Sequence, residues 1–101
     1  MGINNGMKLI VLQLAKNDLK EIHEYLTEYG ESQAIKFREG FVKFCDNVMY
    51  MPLMYSEYKQ NTLYRKAVIC YDYIVFYRVI ENKLIKVYRV LHGKRNIDTI
   101  I

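Results

Sequence analysis

Residues 71–96 (YDYIVFYRVIENKLIKVYRVLHGKRN) constrain the fold most strongly, because they read as two strands joined by a tight turn. Tyr, Val, Ile and Phe fill both apolar runs, which is the composition of a pleated, packed surface. The polar residues Glu81, Asn82 and Lys83 supply the turn, and a basic tail, residues 92–96, follows the second strand. The other elements must be arranged around this predicted hairpin.

Side chains in the second strand of the hairpin alternate between two faces. One face carries Ile85, Val87 and Leu91, and the other carries Lys86. Arg89 falls with the first, mostly apolar set. Either a bulge resets the alternation near the end of the strand, or the guanidinium projects into a cleft rather than into bulk water.

Two apolar stripes at helical spacing predict two helices ahead of the hairpin. The first stripe consists of Ala15, Leu19, Ile22, Leu26 and Tyr29. The second consists of Ala34, Phe37, Phe41, Phe44, Val48 and Met51. Asn17 is expected to cap the N-terminus of the first helix, where the negative charge of Asp18 interacts favourably with the helix dipole. Gly30 is expected to end this helix. Ser32 is expected to cap the second helix and Pro52 to close it.

Two further strands flank the helices. Residues 8–14 form an apolar run of strand length, expected in the interior of a sheet because both of its faces are apolar. Residues 63–69 form the strand before the hairpin, and residues 97–101 form a short helical turn or an extended tail. The order β-α-α-β-β-β predicts an α+β fold, in which an N-terminal αα-hairpin packs on a small, mainly antiparallel twisted sheet.

Length and composition indicate a single compact domain. The chain has 101 residues, 51% of them hydrophobic, with only one proline, which is typical of a globular protein and not of a disordered one. No apolar run approaches the ~20 residues needed to cross a bilayer, and the N-terminus lacks the layout of a signal peptide. We expect residues 1–7 to form a loose leader, residues 8–101 to form one domain, and the protein to be cytoplasmic without a membrane partner.

The net charge of +4 is unevenly distributed along the chain. Residues 64–95 hold eight Lys or Arg against two Asp or Glu, or +6, whereas the remainder holds seven against nine, or −2. The sheet half is therefore basic. This asymmetry predicts an anionic partner, either nucleic acid or an acidic protein segment.

The sequence contains no Gly-rich phosphate loop, no paired carboxylates on one helix face and no Ser-His-Asp spacing. Cys45 and Cys70 have no metal-binding or redox spacing, so we expect reduced, buried thiols, no metal site and no cofactor. The candidates for phosphate clamps are Arg65, Arg78, Arg89, His92, Lys94 and Arg95.

Each candidate group also has a non-catalytic interpretation. His92 is suited either to acid–base catalysis or to a strand-end imidazole bonded to a neighbouring carbonyl. Arg78 and Lys86 fit a solvated basic face. The ten tyrosines are expected to be mostly amphipathic packing residues.

The element order and the hairpin sequence together resemble the RelE/ParE superfamily of bacterial toxins from type II toxin–antitoxin pairs. The resemblance covers nearly the whole chain from Lys8, and its most specific parts are residues 73–79 (YIVFYRV) and residues 89–96 (RVLHGKRN). The second part looks like the RVLHG-x-R-D/N ending of the ParE, or plasmid-stabilisation, branch. The resemblance implies a surface for the target and the antitoxin that includes Arg65, Tyr73, Tyr77, Arg78, Arg89, His92, Lys94 and Arg95.

The resemblance implies one of two activities. The RelE branch cleaves messenger RNA on the ribosome, and here Arg65, His92 and Arg95 would carry that reaction. That branch commonly has an Arg after the first Tyr of the third strand and a catalytic Tyr near the C-terminus. The corresponding positions in this sequence are Ile74 and Ile101, which disfavours an RNA-cleaving site.

The ParE branch, which the sequence resembles at those same positions, poisons DNA gyrase by binding and has no hydrolytic centre of its own. We therefore predict a ParE-like toxin that inhibits growth by binding gyrase; a ribosome-dependent endonuclease and a non-toxic, antitoxin-binding homologue are the alternatives. The implied antitoxin is an acidic, ParD-like peptide, initially disordered, that folds along the groove between the αα-hairpin and the sheet. Operator DNA would be bound only through this antitoxin.

Overall fold

The computed structural model describes residues 6–101 of the chain. Its elements, in order, are β1 (Lys8–Val11), α1 (Gln13–Tyr29), α2 (Glu31–Tyr50), β2 (Arg65–Val68), β3 (Tyr73–Ile80) and β4 (Leu84–His92). Short 3₁₀ turns occupy Cys70–Asp72 and Ile97–Thr99. The predicted α+β class and the order β-α-α-β-β-β are confirmed. Most of the predicted leader, residues 1–5, lies outside the described residues, and Met7 packs in the core.

The sheet has the strand order β1-β4-β3-β2. β1 runs parallel to β4, and the other two pairings are antiparallel. The prediction that residues 8–14 lie inside the sheet is wrong, because β1 ends at Val11 and is an edge strand. Leu9 and Val11 pack against the core while Ile10 is exposed, and Leu14 already belongs to the helix, where it is exposed as well.

The helix starts differ from the predicted caps. α1 begins at Gln13 rather than after Asn17, because the N–H of Leu12 donates to the Val87 carbonyl of β4 (3.0 Å) and its own carbonyl accepts from Lys16 (2.9 Å). Strand β1 therefore passes into α1 without a loop. Gly30 ends α1 as predicted, with a φ of 153° that favours glycine. Gly30 is also the N-cap residue of α2, which begins at Glu31, so Ser32 is not the cap.

Both helices pack on one face of the sheet, which we call the helical face. The main core joins the predicted helix stripes to alternate strand residues. Its fully buried members include Ala15, Phe44, Val48, Val75, Tyr77, Ile85 and Val87. Tyr29 and Met51, the last members of the two predicted stripes, are instead exposed, because each lies where its helix ends.

The central hairpin forms as predicted, with an irregularity in β4. Glu81 and Asn82 have φ of 52° and 55°, and the Lys83 N–H donates to the Ile80 carbonyl (3.0 Å). Phe76 pairs with Arg89 whereas Tyr77 pairs with Val87, so β4 contains one extra residue, Tyr88. The bulge, one of the two alternatives for the phase of Arg89, is therefore present. It turns Val90 to the helical face and Leu91 to the opposite face.

Among residues 6–101, an apolar cluster covers one end of the opposite face of the sheet, which we call the far face. There Phe76 and Leu91 form a second apolar cluster with Tyr58 and the C-terminal residues Ile97, Ile100 and Ile101. The Tyr58 hydroxyl donates a hydrogen bond to Asp98 Oδ1, which fastens the C-terminal turn to this cluster.

The cysteines, the possible metal ligands and the helices were each the subject of an expectation from the sequence. Cys45 and Cys70 are free thiols, half-buried rather than fully buried, and burial raises the pKa of the Cys45 thiol to about 11. Within residues 6–101 no three His, Cys, Asp or Glu side chains gather as a possible metal site. In the same range, no helix has the length and apolar character that crossing a membrane requires.

Candidate functional site

An open cleft of about 710 Å³ lies between α1 and the C-terminal end of β4 with its tail. Its floor is apolar, formed by Ile22, Leu26 and Val90, and Leu91 at the end of β4 also borders it. Its walls and rim are mostly aromatic and charged, and include Asp18, Glu21, Tyr25, Tyr29, Tyr71, Tyr73, His92, Lys94 and Arg95. An apolar floor with tyrosines and charges at the rim has the composition of a protein-binding surface.

The cleft exists because β1 is short. Val11, the last residue of β1, pairs with Val87, so beyond that point β4 is paired, among the described residues, with β3 alone and its other edge is free. Helix α1 takes that place. Asp18 of α1 accepts a hydrogen bond from the Val90 N–H (2.9 Å), which satisfies a donor at the free edge of the strand.

Arg89 is held by the same carboxylate. Its Nε and Nη2 donate to the two oxygens of Asp18 at 2.8 and 2.9 Å, a bidentate ion pair that is largely buried. The hydrogen bond to Asp18 raises the pKa of the Arg89 guanidinium, although burial acts against it. Arg89 therefore stabilises the junction of α1 and β4, and Asp18 rather than Arg89 lines the cleft.

Two pairs of rings shape the cleft walls. The hydroxyls of Tyr25 and Tyr29, one turn apart on α1, lie 3.1 Å from each other, and this hydrogen bond raises the pKa of Tyr25. Both side chains are more than half exposed. On the opposite wall Tyr73 packs edge-on against His92, with ring centroids 5.0 Å apart, and burial raises the pKa of Tyr73. The raised pKa values keep Tyr25 and Tyr73 neutral near pH 7, and both walls offer ring surface to a ligand.

A strained turn fixes the base of the cleft. Tyr71 and Asp72 both have left-handed backbone conformations, with φ of 60° and 62°, which side chains other than glycine rarely adopt. The Gly93 N–H donates to the Asp72 carbonyl (2.8 Å), and a Cβ at Gly93 would lie 3.2 Å from that oxygen. The turn therefore holds Tyr71 at the cleft and ties the tail to the end of β3.

His92 organises the basic rim. Its Nδ1 accepts a hydrogen bond from the Lys94 N–H (3.2 Å), and its carbonyl accepts one from the Arg95 N–H (3.0 Å). The imidazole is thus bonded to neighbouring backbone, although to an N–H and not to the carbonyl of the non-catalytic alternative. Both bonds fold the tail back, which places the exposed Lys94 and Arg95 at the mouth of the cleft.

The structure brings together four of the eight residues named from the sequence, Tyr73, His92, Lys94 and Arg95. Arg65 lies elsewhere: its Nη1 donates to the Tyr55 carbonyl (2.7 Å), and its Nη2 is 4.0 Å from Glu57. Arg65 pairs with Tyr77, four residues along β3 from the Tyr73 that faces His92. Four residues of strand correspond to about 13 Å.

The other residues named from the sequence have different surroundings. Tyr77 is fully buried, and its hydroxyl donates to the Pro52 carbonyl (3.0 Å), so it is a core residue. Burial raises the pKa of Tyr77 to about 12. Arg78 lies on the far face, where its Nη1 is 3.5 Å from the Tyr88 hydroxyl.

Three tyrosines that were not predicted as site residues also line the cleft: Tyr25, Tyr29 and Tyr71. A signal for the first two existed, because two tyrosines spaced by four residues lie one above the other on a helix. Tyr29 fits the spacing of the apolar stripe, but it is the last residue of α1 and is exposed there. Tyr71 carried no sequence signal, since its left-handed backbone conformation is set by tertiary contacts.

A family model described as the ParE toxin of the type II toxin–antitoxin system parDE matches residues 9–97. The chain belongs to the ParE toxin family. Among solved structures, the chromosomal ParDE toxin–antitoxin system from P. aeruginosa is similar, with a TM-score of 0.69 over 86% of this chain and 96% of that chain. The identity of 18% means that this likeness shows a shared fold. Comparison with curated proteins gives no significant match.

The ParE assignment confirms the resemblance that residues 73–79 and 89–96 carry. In this ParE-family chain, the two positions at which the RelE branch would have Arg and Tyr are Ile74 and Ile101. Both pack with Phe76 and Leu91 in the apolar cluster on the far face.

Proposed function

We propose that this ParE-family protein inhibits growth by binding and poisoning DNA gyrase and does not cleave RNA. The observation that supports this proposal is the packing of Ile74 and Ile101 in an apolar cluster with Phe76 and Leu91. RNA cleavage requires groups that deprotonate a 2′-hydroxyl, stabilise the phosphorane and protonate the leaving oxygen. Hydrocarbon side chains at these two positions supply none of them.

The distribution of the basic residues also favours a binding function. A nuclease built from Arg65, His92 and Arg95 would have to bring all three to one phosphate. Arg65 is on β2, two strands away from β4 and about 13 Å along the strand direction from His92. It is also engaged with Tyr55 and Glu57.

For the antitoxin, we propose the cleft between α1 and β4 as the docking site of an acidic, amphipathic peptide. The floor of Ile22, Leu26 and Val90 suits apolar anchors, and Lys94 and Arg95 at the rim suit carboxylates. Glu21 on the α1 side repels carboxylates, so the acidic residues of the peptide face the tail.

A gyrase assay tests the target. Added to gyrase, relaxed plasmid and ATP, the purified chain is expected to stop supercoiling and to accumulate linear DNA after detergent and protease treatment. Message on translating ribosomes should stay intact. Message cleavage that is lost in His92→Ala or Arg95→Ala, with gyrase unaffected, would instead establish the nuclease alternative. Expression without growth arrest, with antitoxin affinity intact, would establish the non-toxic alternative.

Titration with the product of an adjacent short, acidic reading frame tests the cleft. Replacing Tyr25 and Tyr29 together by Ala should weaken binding by about tenfold or more, because it removes two large aromatic contacts. Tyr50→Ala is the matched control, since Tyr50 is 82% exposed at the end of α2 and does not line the cleft. An equal loss in both variants would contradict docking in the cleft.

A further inference from the structure

The four strands contain six Lys or Arg and no Asp or Glu. Two of the six, Arg65 and Arg89, are ion-paired, with Glu57 and Asp18. None of the other four has a carboxylate within 4.0 Å among residues 6–101. These four are Lys8, Lys66, Arg78 and Lys86.

The alternation of strand residues places all four on the far face. Their neighbours Leu9, Ala67, Val79 and Val87 pack into the core on the helical face. Because side chains alternate along a strand, each of the four cations points to the other side. The basic excess of the sheet that the sequence showed is thus concentrated on one face.

Two of the four cations are directly opposed across neighbouring strands. Lys86 of β4 pairs with Arg78 of β3 on one side and with Ile10 of β1 on the other. Directly opposed side chains have Cβ atoms about 5 Å apart, and like charges at that separation are destabilising. Ile10 is 44% exposed, so this end of the face is open to solvent. An anion placed over Arg78 and Lys86 would remove the repulsion.

Two tyrosines lie among these cations. The rings of Tyr64 and Tyr88 meet edge-to-face with centroids 5.1 Å apart, and both are half-buried. The guanidinium carbon of Arg78 lies 6.0 Å from the centroid of the Tyr88 ring. The C-terminal turn covers the other end of the far face, over Phe76 and Leu91.

We propose that this basic–tyrosine face, consisting of Lys8, Lys66, Arg78, Lys86, Tyr64 and Tyr88, binds single-stranded nucleic acid. The four cations lie one on each strand and so run across the sheet, where they contact successive phosphates while bases pack against the tyrosine rings. A single strand is favoured over a duplex because a four-stranded sheet is too wide for a groove that admits a helix or a two-stranded ribbon. Neither antitoxin docking in the cleft nor gyrase binding requires this activity.

Fluorescence anisotropy with a labelled oligothymidine of about 12 nucleotides tests the proposal with the whole 101-residue chain. Four phosphate contacts give a slope of log K against log salt of about −2.8, or about 50-fold weaker binding at 200 mM than at 50 mM salt. Replacing Lys66 and Lys86 together by Gln should halve the slope to about −1.4. The control replaces Lys36 and Lys43, exposed lysines of α2, by Gln and makes the same change in net charge.

The control variant should bind within about twofold of the unmodified chain; an equal loss in both double variants shows unspecific attraction and overturns the proposal. Tyr88→Leu keeps the charge and removes one ring, and should weaken binding by about fivefold or more. A duplex of the same length that binds as tightly as the single strand overturns the assignment to single strands. Urea midpoints of all variants check that each is folded.

Discussion

Arg89 on β4 and Arg78 on β3 belong to neighbouring strands of one sheet, yet within residues 6–101 only Arg89 has a carboxylate as its partner. Arg89 is largely buried and bound by both oxygens of Asp18, whereas Arg78 stands on the far face opposite a second cation, Lys86. A buried charge must be paired for the fold to be stable, while a charge open to water need not be. Pairing at Arg89 therefore stabilises the fold, and like-charge opposition at Arg78 is the kind of local conflict found at functional surfaces.

The largest expected effect comes from breaking the pair. Asp18→Ala leaves the Arg89 guanidinium without its counter-ion and the Val90 N–H without its acceptor. Removing one partner of a buried ion pair is strongly destabilising, so the free energy of unfolding should fall by about 3 kcal/mol or more. Urea denaturation followed by circular dichroism measures the loss.

Lys86→Ala is the matched change on the other side of the sheet, and should alter stability by less than about 1 kcal/mol. Replacing Asp18 by Leu together with Arg89 by Met should recover part of the loss, because neither charge then remains buried alone. If Asp18→Ala were no more destabilising than Lys86→Ala, the contrast between the two sides of the sheet would be wrong.

The Asp18–Arg89 pair also shows what the sequence could and could not predict. Asp18 lies between Ala15 and Ile22 at helical spacing, so it interrupts an apolar stripe, just as Arg89 interrupts an apolar strand face. Opposite charges on two surfaces expected to be buried are a signal for a buried pair. Asn17 masks this signal, because a cap at that position would put Asp18 in the first turn of the helix, where a carboxylate needs no partner.

The elements that local chemistry determines were predicted well, including the hairpin turn at Glu81 and Asn82 and the helix end at Gly30. The cleft was not predicted in detail. It depends on β1 stopping at Val11, so that α1 lies beside β4, and on the left-handed turn at Tyr71. Both are set by contacts between residues distant in sequence, for which a single sequence carries no periodic signal.

An intermediate effect is expected where the C-terminal turn covers the far face. Tyr58→Phe removes the hydrogen bond to Asp98 and keeps the ring that packs on Phe76. The loss should be about 1 to 2 kcal/mol, because the acceptor is a carboxylate. Urea denaturation at pH 7 measures it, with Tyr50→Phe, a change at an exposed ring, as the control. A loss equal to that of the control would mean that this hydrogen bond does not hold the turn.

The same bond has a pH dependence with a definite sign. The hydrogen bond to Asp98, followed by burial, raises the pKa of Tyr58 to about 12, above the ordinary value of about 10. A raised pKa in the folded state means that the contribution is complete below about pH 10 and is lost as the pH rises toward 12. Stability should therefore fall less steeply over this range in Tyr58→Phe than in the unmodified chain. Identical slopes would contradict the role of Tyr58.

The smallest expected effect on stability, Lys86→Glu, tests the unpaired side of the comparison most directly. The new carboxylate stands opposite Arg78, so a repulsive pair becomes an attractive one, and stability should rise by about 0.2 to 1 kcal/mol. High salt should reduce this gain, because both side chains are only half-buried and remain in contact with solvent. Lys83→Glu, in the hairpin turn, makes the same change in net charge without an opposing arginine and should leave stability nearly unchanged. The same Lys86→Glu variant should bind oligothymidine far more weakly than Lys83→Glu does, so that stability rises while binding falls. Should both variants gain equally in stability, the repulsion between Arg78 and Lys86 would be a general effect of net charge and not of their opposition across the sheet.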